Sequence, residues 1–279
     1  MPTVQITHAL PNPDGRPSVA YDGSFKELPP GVTERRTGRS APVDIELRDG
    51  RHLETPLSLT RNGVCLARGF EPAVDLQSEG LDSDAIVERY YPQVAGLVRR
   101  ALEPAGIERA VVFDHTIRSR ARRERGEKES NGENVGGYAN GAHNDNSSAS
   151  ARTRVRLLSR PKALGGSVTR PEPLLSREDA ERIAAGHFGI FNVWRHFRSD
   201  YPVRDYPLAV LDAASASEKD FQIAKYVYPD RVGEVMNALH RPEHRWIYFS
   251  EMRHDEALIF KVFDNAAELG LASPTECPP

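Results

Sequence analysis

The shortness of the apolar runs is what most limits the folds open to this chain. From about residue 43 the hydrophobic positions come in brief stretches, many of them alternating, and turn signals cut them off. Such a period of two argues for half-buried strands. In VDIELRDG, Val43, Ile45 and Leu47 alternate with polar residues and run into Asp49-Gly50, a hairpin turn signal, so a β-hairpin is predicted over 43–59. RNGVCLARG repeats strand and turn around Asn62-Gly63. HFGIFNVWRHF puts Phe188, Ile190, Asn192 and Trp194 on one face; YPLAVLDAAS, HRWIYFSEM and DEALIFKVFDN read as further strands, and Arg109 to His115 as a buried one. DFQIAKYVY suits strand or helix.

Helical spacing marks two segments. Ile86, Tyr90, Val94, Leu97 and Val98 recur at three to four residues behind a cap at Asp82 or Ser83, with Pro92 predicting a kink or two short helices. SREDAERIAAG opens with a capping sequence at Ser176 and stops at Gly186. Neither βαβ alternation nor a glycine-rich phosphate loop is present, which speaks against nucleotide-binding α/β folds. The fold class expected is mainly β with helices (α+β): an antiparallel double-stranded β-helix, or jelly roll, with outer helices. Residues 1–42, rich in Pro, Gly and charge, are expected as an extended arm, and 43–279 as a single domain. Within it 119–137, charged and without apolar periodicity, is expected as a mobile loop able to act as a lid.

Composition enters mainly by exclusion. A net charge of −3 gives no electrostatic basis for binding nucleic acid or an acidic membrane surface. There is no apolar run of bilayer-spanning length, and the first residues lack a basic and then apolar leader pattern. Cys65 and Cys277 are the only cysteines, too few for a disulfide framework or a thiolate zinc site, so a cytoplasmic location is expected.

The chemistry concentrates in YANGAHNDNSSASARTRVRLL, 138–158. In an extended strand His143 and Asp145 point to the same side, which supplies two donors of a 2-His-1-carboxylate iron triad. A polar loop with Asp145 capping a turn and His143 in solvent satisfies the same residues. His115, His187, His196, His240, His244 and His254 are further imidazoles in the body of the chain. A serine hydrolase finds no G-x-S-x-G elbow.

A series of blocks carries more. VFDHTIRSR (112–120), AHNDNSSASARTRVRLL (142–158), FNVWRHF (191–197), DYPLAVLDAASASEKDF (205–221), YPDRVGE (228–234) and HRWIYFSEMRHDEALIFKVFDN (244–265) succeed one another in order. Together they resemble the CmcJ/NvfI-type family of non-haem Fe(II), 2-oxoglutarate-dependent oxygenase-like proteins, which includes gibberellin desaturase and AsaB-type hydroxylase/desaturases. The resemblance spans roughly 43–265. It implies a double-stranded β-helix, Fe(II), 2-oxoglutarate as cosubstrate, and oxidation of a small organic metabolite in secondary metabolism. It also implies that His143 and Asp145 are metal ligands. Arg118, Trp194 and Arg195 fall in matching blocks and are candidates for substrate or cosubstrate binding; Asp114, His115, Trp246, Asp255, Glu256 and Lys261 also match.

Two departures stand out. Asn146 replaces the family's usual tyrosine after His-Asn-Asp. The family's Pro-His-Thr-Ala-Phe block, with the third ligand, and the arginine clamp beyond it find no counterpart in ASPTECPP (272–279), so His254 or Cys277 is the expected third ligand. The function expected is hydroxylation or desaturation of a small molecule. A catalytically degenerate relative, serving as a substrate-binding or partner subunit, is the alternative. A homodimer or a protein partner is compatible with either.

Overall fold

The computed structural model describes residues 1–21, 25–75, 83–103, 106–128, 135–161, 172–228, 232–266 and 268. In chain order the strands are β1 (Thr3–Ala9), β2 (Ser18–Tyr21), β3 (Ser40–Asp49), β4 (Val64–Ala67), β5 (His143–Asn144), β6 (Gly189–Arg195), β7 (Val210–Leu211), β8 (Phe221–Val227), β9 (Val232–Ala238), β10 (Trp246–Tyr248) and β11 (Ala257–Asp264). The helices are α1 (Ser83–Ala85), α2 (Tyr91–Ala101), α3 (Arg120–Glu124), α4 (Ser148–Leu157) and α5 (Arg177–Ala185). The class is the expected one, mainly β with helices.

The chain divides into two compact units. The first comprises Met1–Arg48, Ala139–Arg152 and Ala209–Ile247. It is built on two sheets of strand order β1-β3-β10-β7 and β2-β8-β9-β5. β3 alternates as its sequence requires, with Ile45 and Leu47 buried and the polar residues between them exposed. Its partner, however, is β1, antiparallel from Thr3↔Glu46 to Ala9↔Ser40. The hairpin expected over 43–59 does not form. Asp49 instead accepts a hydrogen bond from Arg51 N and caps a 3-10 turn at Gly50–His52, so the turn signal is used without reversing the strand. Residues 1–42, expected as an arm, supply β1 and β2, the latter parallel to β8.

The second unit comprises Asp49–Tyr138, Thr153–Leu208 and the chain from Tyr248 onward. Its sheet runs β4-β11-β6, all antiparallel. Ala257, Leu258 and Ile259 of the central strand are fully buried. Cys65, Ala67, Ala257 and Ile259 pack with Val94 and Leu97 of α2, two positions of the apolar stripe that helical spacing foretold, and with Ala101. Pro92 lies in the first turn of α2, which continues directly from a π-helical turn at Ile86–Tyr90 whose Ile86 carbonyl accepts from Tyr91 N. Asp82, one of the two expected caps, falls outside the described residues. Arg109 to His115 forms no strand; it is a half-buried irregular segment whose Val112 packs against two apolar clusters. DFQIAKYVY resolves to a strand, β8. The charged run 119–137 contributes α3, with residues 129–134 outside those described.

Candidate metal centre

β5 is only two residues long and owes its position to its neighbours. Thr7 N donates to Asn140 O (3.0 Å), Ala142 N to Thr7 O (2.8 Å) and Ala238 N to Ala142 O (2.9 Å). β1 and β9 therefore grip the same short segment, and His143 pairs with Asn237 of β9.

Within that frame His143 and Asp145 come together: His143 Nε2 lies 3.2 Å from Asp145 Oδ1. His143 Nδ1 lies 2.7 Å from the carbonyl oxygen of Gly141. A carbonyl can only accept, so Nδ1 carries a proton, which leaves Nε2 as the nitrogen that faces Asp145 and that a metal would take in place of a proton. That backbone partner fixes ring and tautomer as metal-ligating histidines require. The two side chains are about one-third and one-half exposed, so an ion could reach them. One imidazole nitrogen and one carboxylate oxygen suit iron and similar divalent metals. Among the described residues no group of three or more His, Cys, Asp or Glu is placed to hold a metal ion.

The loop beyond Asp145 is held by Ser147, which is buried. Its Oγ accepts from Ser150 N (3.1 Å) and donates to Glu234 Oε2 of β9 (2.7 Å). Ser147 is thus the N-cap of α4 and ties that helix to β9. Sequence reasoning missed α4, although Ala151, Val155 and Leu158, all buried, carry its helical period. Asn146 Oδ1 accepts from Ser150 Oγ (3.4 Å), so the residue that departs from the family pattern takes part in the cap.

The same unit contains a histidine cluster that sequence reasoning did not foresee. His8 is 1% exposed, with Nδ1 3.0 Å from Ile6 O. The rings of His240 and Trp246 meet it edge-on, at centroid distances of 5.5 and 5.6 Å. Burial pushes the His8 pKa down; His240 and His244 push the same way, and the Ile6 hydrogen bond opposes them. Asp220, 3.4 Å from His244 Nε2, is held below the usual carboxylate range, chiefly by the hydrogen bond from Arg241.

Arg118, Trp194, Arg195 and His254 belong to the second unit. Arg195 donates to Tyr90 OH (3.0 Å) and to the carbonyls of His196 and His254 (3.1 Å each), with its guanidinium over the Tyr90 ring. Trp194 pairs with Leu258 across β6 and β11. Arg118 is exposed and donates to Gly137 O (2.6 Å). His187 and His196 are engaged by Asp264 and Tyr201 O, and His115 by Tyr91 OH. Cys277 lies outside the described residues.

Comparisons with known proteins place the chain. A family model described as an oxidoreductase/YMDC permease-like domain matches residues 7–275. No helix among the described residues is long and apolar enough to cross a membrane. The hydroxylase/desaturase efuI of Hormonema carpetanum is 24% identical over 275 residues, 93% of this chain and 86% of that protein. The Fe(II)/2-oxoglutarate-dependent dioxygenase nvfI of Aspergillus novofumigatus is 26% identical over 240 residues, covering 85% of this chain and 75% of its own. A solved structure of the iron and alpha-ketoglutarate-dependent endoperoxidase NvfI superposes with a TM-score of 0.72 at 22% identity, over 99% of this chain and 88% of the other, and so shares its jelly-roll fold. The chain belongs to the oxidoreductase/YMDC permease-like domain family, among the CmcJ/NvfI-type Fe(II)/2-oxoglutarate oxygenase-like proteins.

Proposed function

We propose that this chain catalyses the Fe(II)- and 2-oxoglutarate-dependent oxidation, a hydroxylation or desaturation, of a small organic metabolite of secondary metabolism. The observation that carries the reading is the His143–Asp145 pair, with the imidazole tautomer set by Gly141 O. The names of the relatives support the reaction class. When bound with 2-oxoglutarate and dioxygen, Fe(II) supplies the power to break an unactivated C–H bond.

The chain's own part is to bind, orient and shelter. His143 Nε2 and an Asp145 carboxylate oxygen would hold the metal, and the β1 and β9 hydrogen bonds anchor the backbone that leads into His143. No third donor among the described residues joins the pair, so His254 is not assigned to it; Cys277, outside the described residues, is the remaining candidate for the third ligand. Arg118, with its exposed guanidinium, is assigned to the keto acid's carboxylate. Trp194 and Arg195 are assigned, as the family resemblance implies, to binding substrate or cosubstrate.

Anaerobic Fe(II) titration and succinate release from 2-oxoglutarate test the reading. His143→Ala and Asp145→Ala should each lose iron binding and succinate formation, and Arg118→Gln should raise the KM for 2-oxoglutarate. Iron affinity in both alanine variants equal to the parent's would remove the site. Iron binding without keto-acid turnover would point to the substrate-binding alternative.

A further inference from the structure

The second unit carries an aromatic and cationic feature that the metal centre does not use. Tyr138 and Tyr206 stack, ring centroids 4.5 Å apart and 17° from parallel. Both are exposed, at 36% and 51%, the only aromatics among the large hydrophobic side chains exposed in the described residues. Burial cannot account for two solvent-facing rings kept face to face. Tyr206 also holds a left-handed backbone conformation, φ 48°, which a bulky residue adopts only when its surroundings impose it.

Those surroundings are cationic. The Arg120 guanidinium lies 5.2 Å from the Tyr206 centroid and donates to its hydroxyl (3.3 Å). Its ion pair with Asp205 is long, 3.7 Å, and both partners are more than half exposed, so the pair is weak and open to exchange. Arg123 packs against the backbone beside Tyr138, so closely that a Cβ on Gly137 would clash with its guanidinium. Tyr138 itself ends a pinned segment: Gly136 N donates to Ile117 O (2.8 Å) and Ser119 N to Gly136 O (3.1 Å).

We propose that Tyr138 and Tyr206, with Arg120 and Arg123, form a recognition site for a flat, conjugated organic anion, the substrate class of the proposed oxidation. The inference rests on that reading for its purpose but not for its test. Stacked rings offer a planar face, and the Arg120 guanidinium offers a charge that a carboxylate or phenolate can take from its weak surface partner, with the Arg123 guanidinium close beside Tyr138. The strained Tyr206 is the part free to relax when a guest ring enters.

The probe is 2-naphthoate, with cyclohexanecarboxylate as an equally charged, non-planar control. Binding to the full chain is followed by saturation-transfer NMR and calorimetry. Naphthoate should bind saturably and the control at least about tenfold more weakly, the worth of roughly one ring stack. Tyr206→Asn removes the ring yet keeps a residue tolerant of positive φ. It should weaken naphthoate about tenfold while the thermal melt and Fe(II) titration stay at parent values. Arg120→Gln should weaken it several-fold and flatten its salt dependence. Equal binding of the two acids, or parent-like binding by Tyr206→Asn, overturns the site. Loss of iron in His143→Ala with naphthoate binding intact would separate this site from the metal centre, so that either can fail alone.

Discussion

Ser147→Ala removes one hydroxyl and two roles at once. Ser147 Oγ caps α4 through Ser150 N and donates at 2.7 Å to the Glu234 carboxylate. Loss of an N-cap costs about 1 kcal/mol. A hydrogen bond to a charged group contributes about 1.5–3 kcal/mol, and the lower end applies because Glu234 is half-exposed and water can replace part of it. The sum is about 2–3 kcal/mol, read as a lower urea midpoint at unchanged m. Because Ser147 lies two residues beyond Asp145, Fe(II) affinity should fall as well. Ser147→Asp separates the two roles: aspartate caps helices well but would face Glu234 with like charge. Stability within about 0.5 kcal/mol of the parent for Ser147→Ala, or a gain for Ser147→Asp, would refute this account.

Other consequences can be checked directly. His8 is kept neutral by burial, so its folded pKa lies below the unfolded value. The stability linked to it is complete above the ordinary histidine pKa, near 6.5, and is lost as pH falls from there toward the folded value. The urea midpoint should therefore drop between about pH 7 and 5, and His8→Phe should flatten that drop. At Gly50 a Cβ would lie 2.5 Å from Cε1 of Phe249, a side chain only 4% exposed. Gly50→Ala should cost about 1–3 kcal/mol by calorimetry, and a neutral result would mean that the ring has room to move.

The residues differ in how openly they announced their places. Val43, Ile45 and Leu47 fixed a strand and its buried face through local alternation, and Ser176 announced α5 by accepting from Asp179 N. The partner of β3 was not legible, because antiparallel pairing with β1 depends on residues far away in the chain. Asp49-Gly50 misled for a related reason. The glycine answers to the Phe249 ring, a contact no local pattern contains. The His143–Asp145 proximity came from spacing alone, and the resemblance gave it a chemistry. The grip of β1 and β9 on the segment leading into that pair, and the Ser147–Glu234 tie beside it, join segments that only the folded chain brings together.

That grip also has a meaning in time. Residues 7, 142 and 238 must all be present before the backbone leading into His143 acquires its full set of hydrogen bonds. Contacts so distant in sequence are slow to close, because the ordering of the intervening chain comes before their reward. A chain emerging from the ribosome can fold α2 early from nearby residues, yet the segment carrying the proposed metal-binding pair lacks part of its support until β9 has been made. Iron supplied during refolding should therefore be captured in the last kinetic phase, with the pair's assembly, rather than the ion, setting the pace.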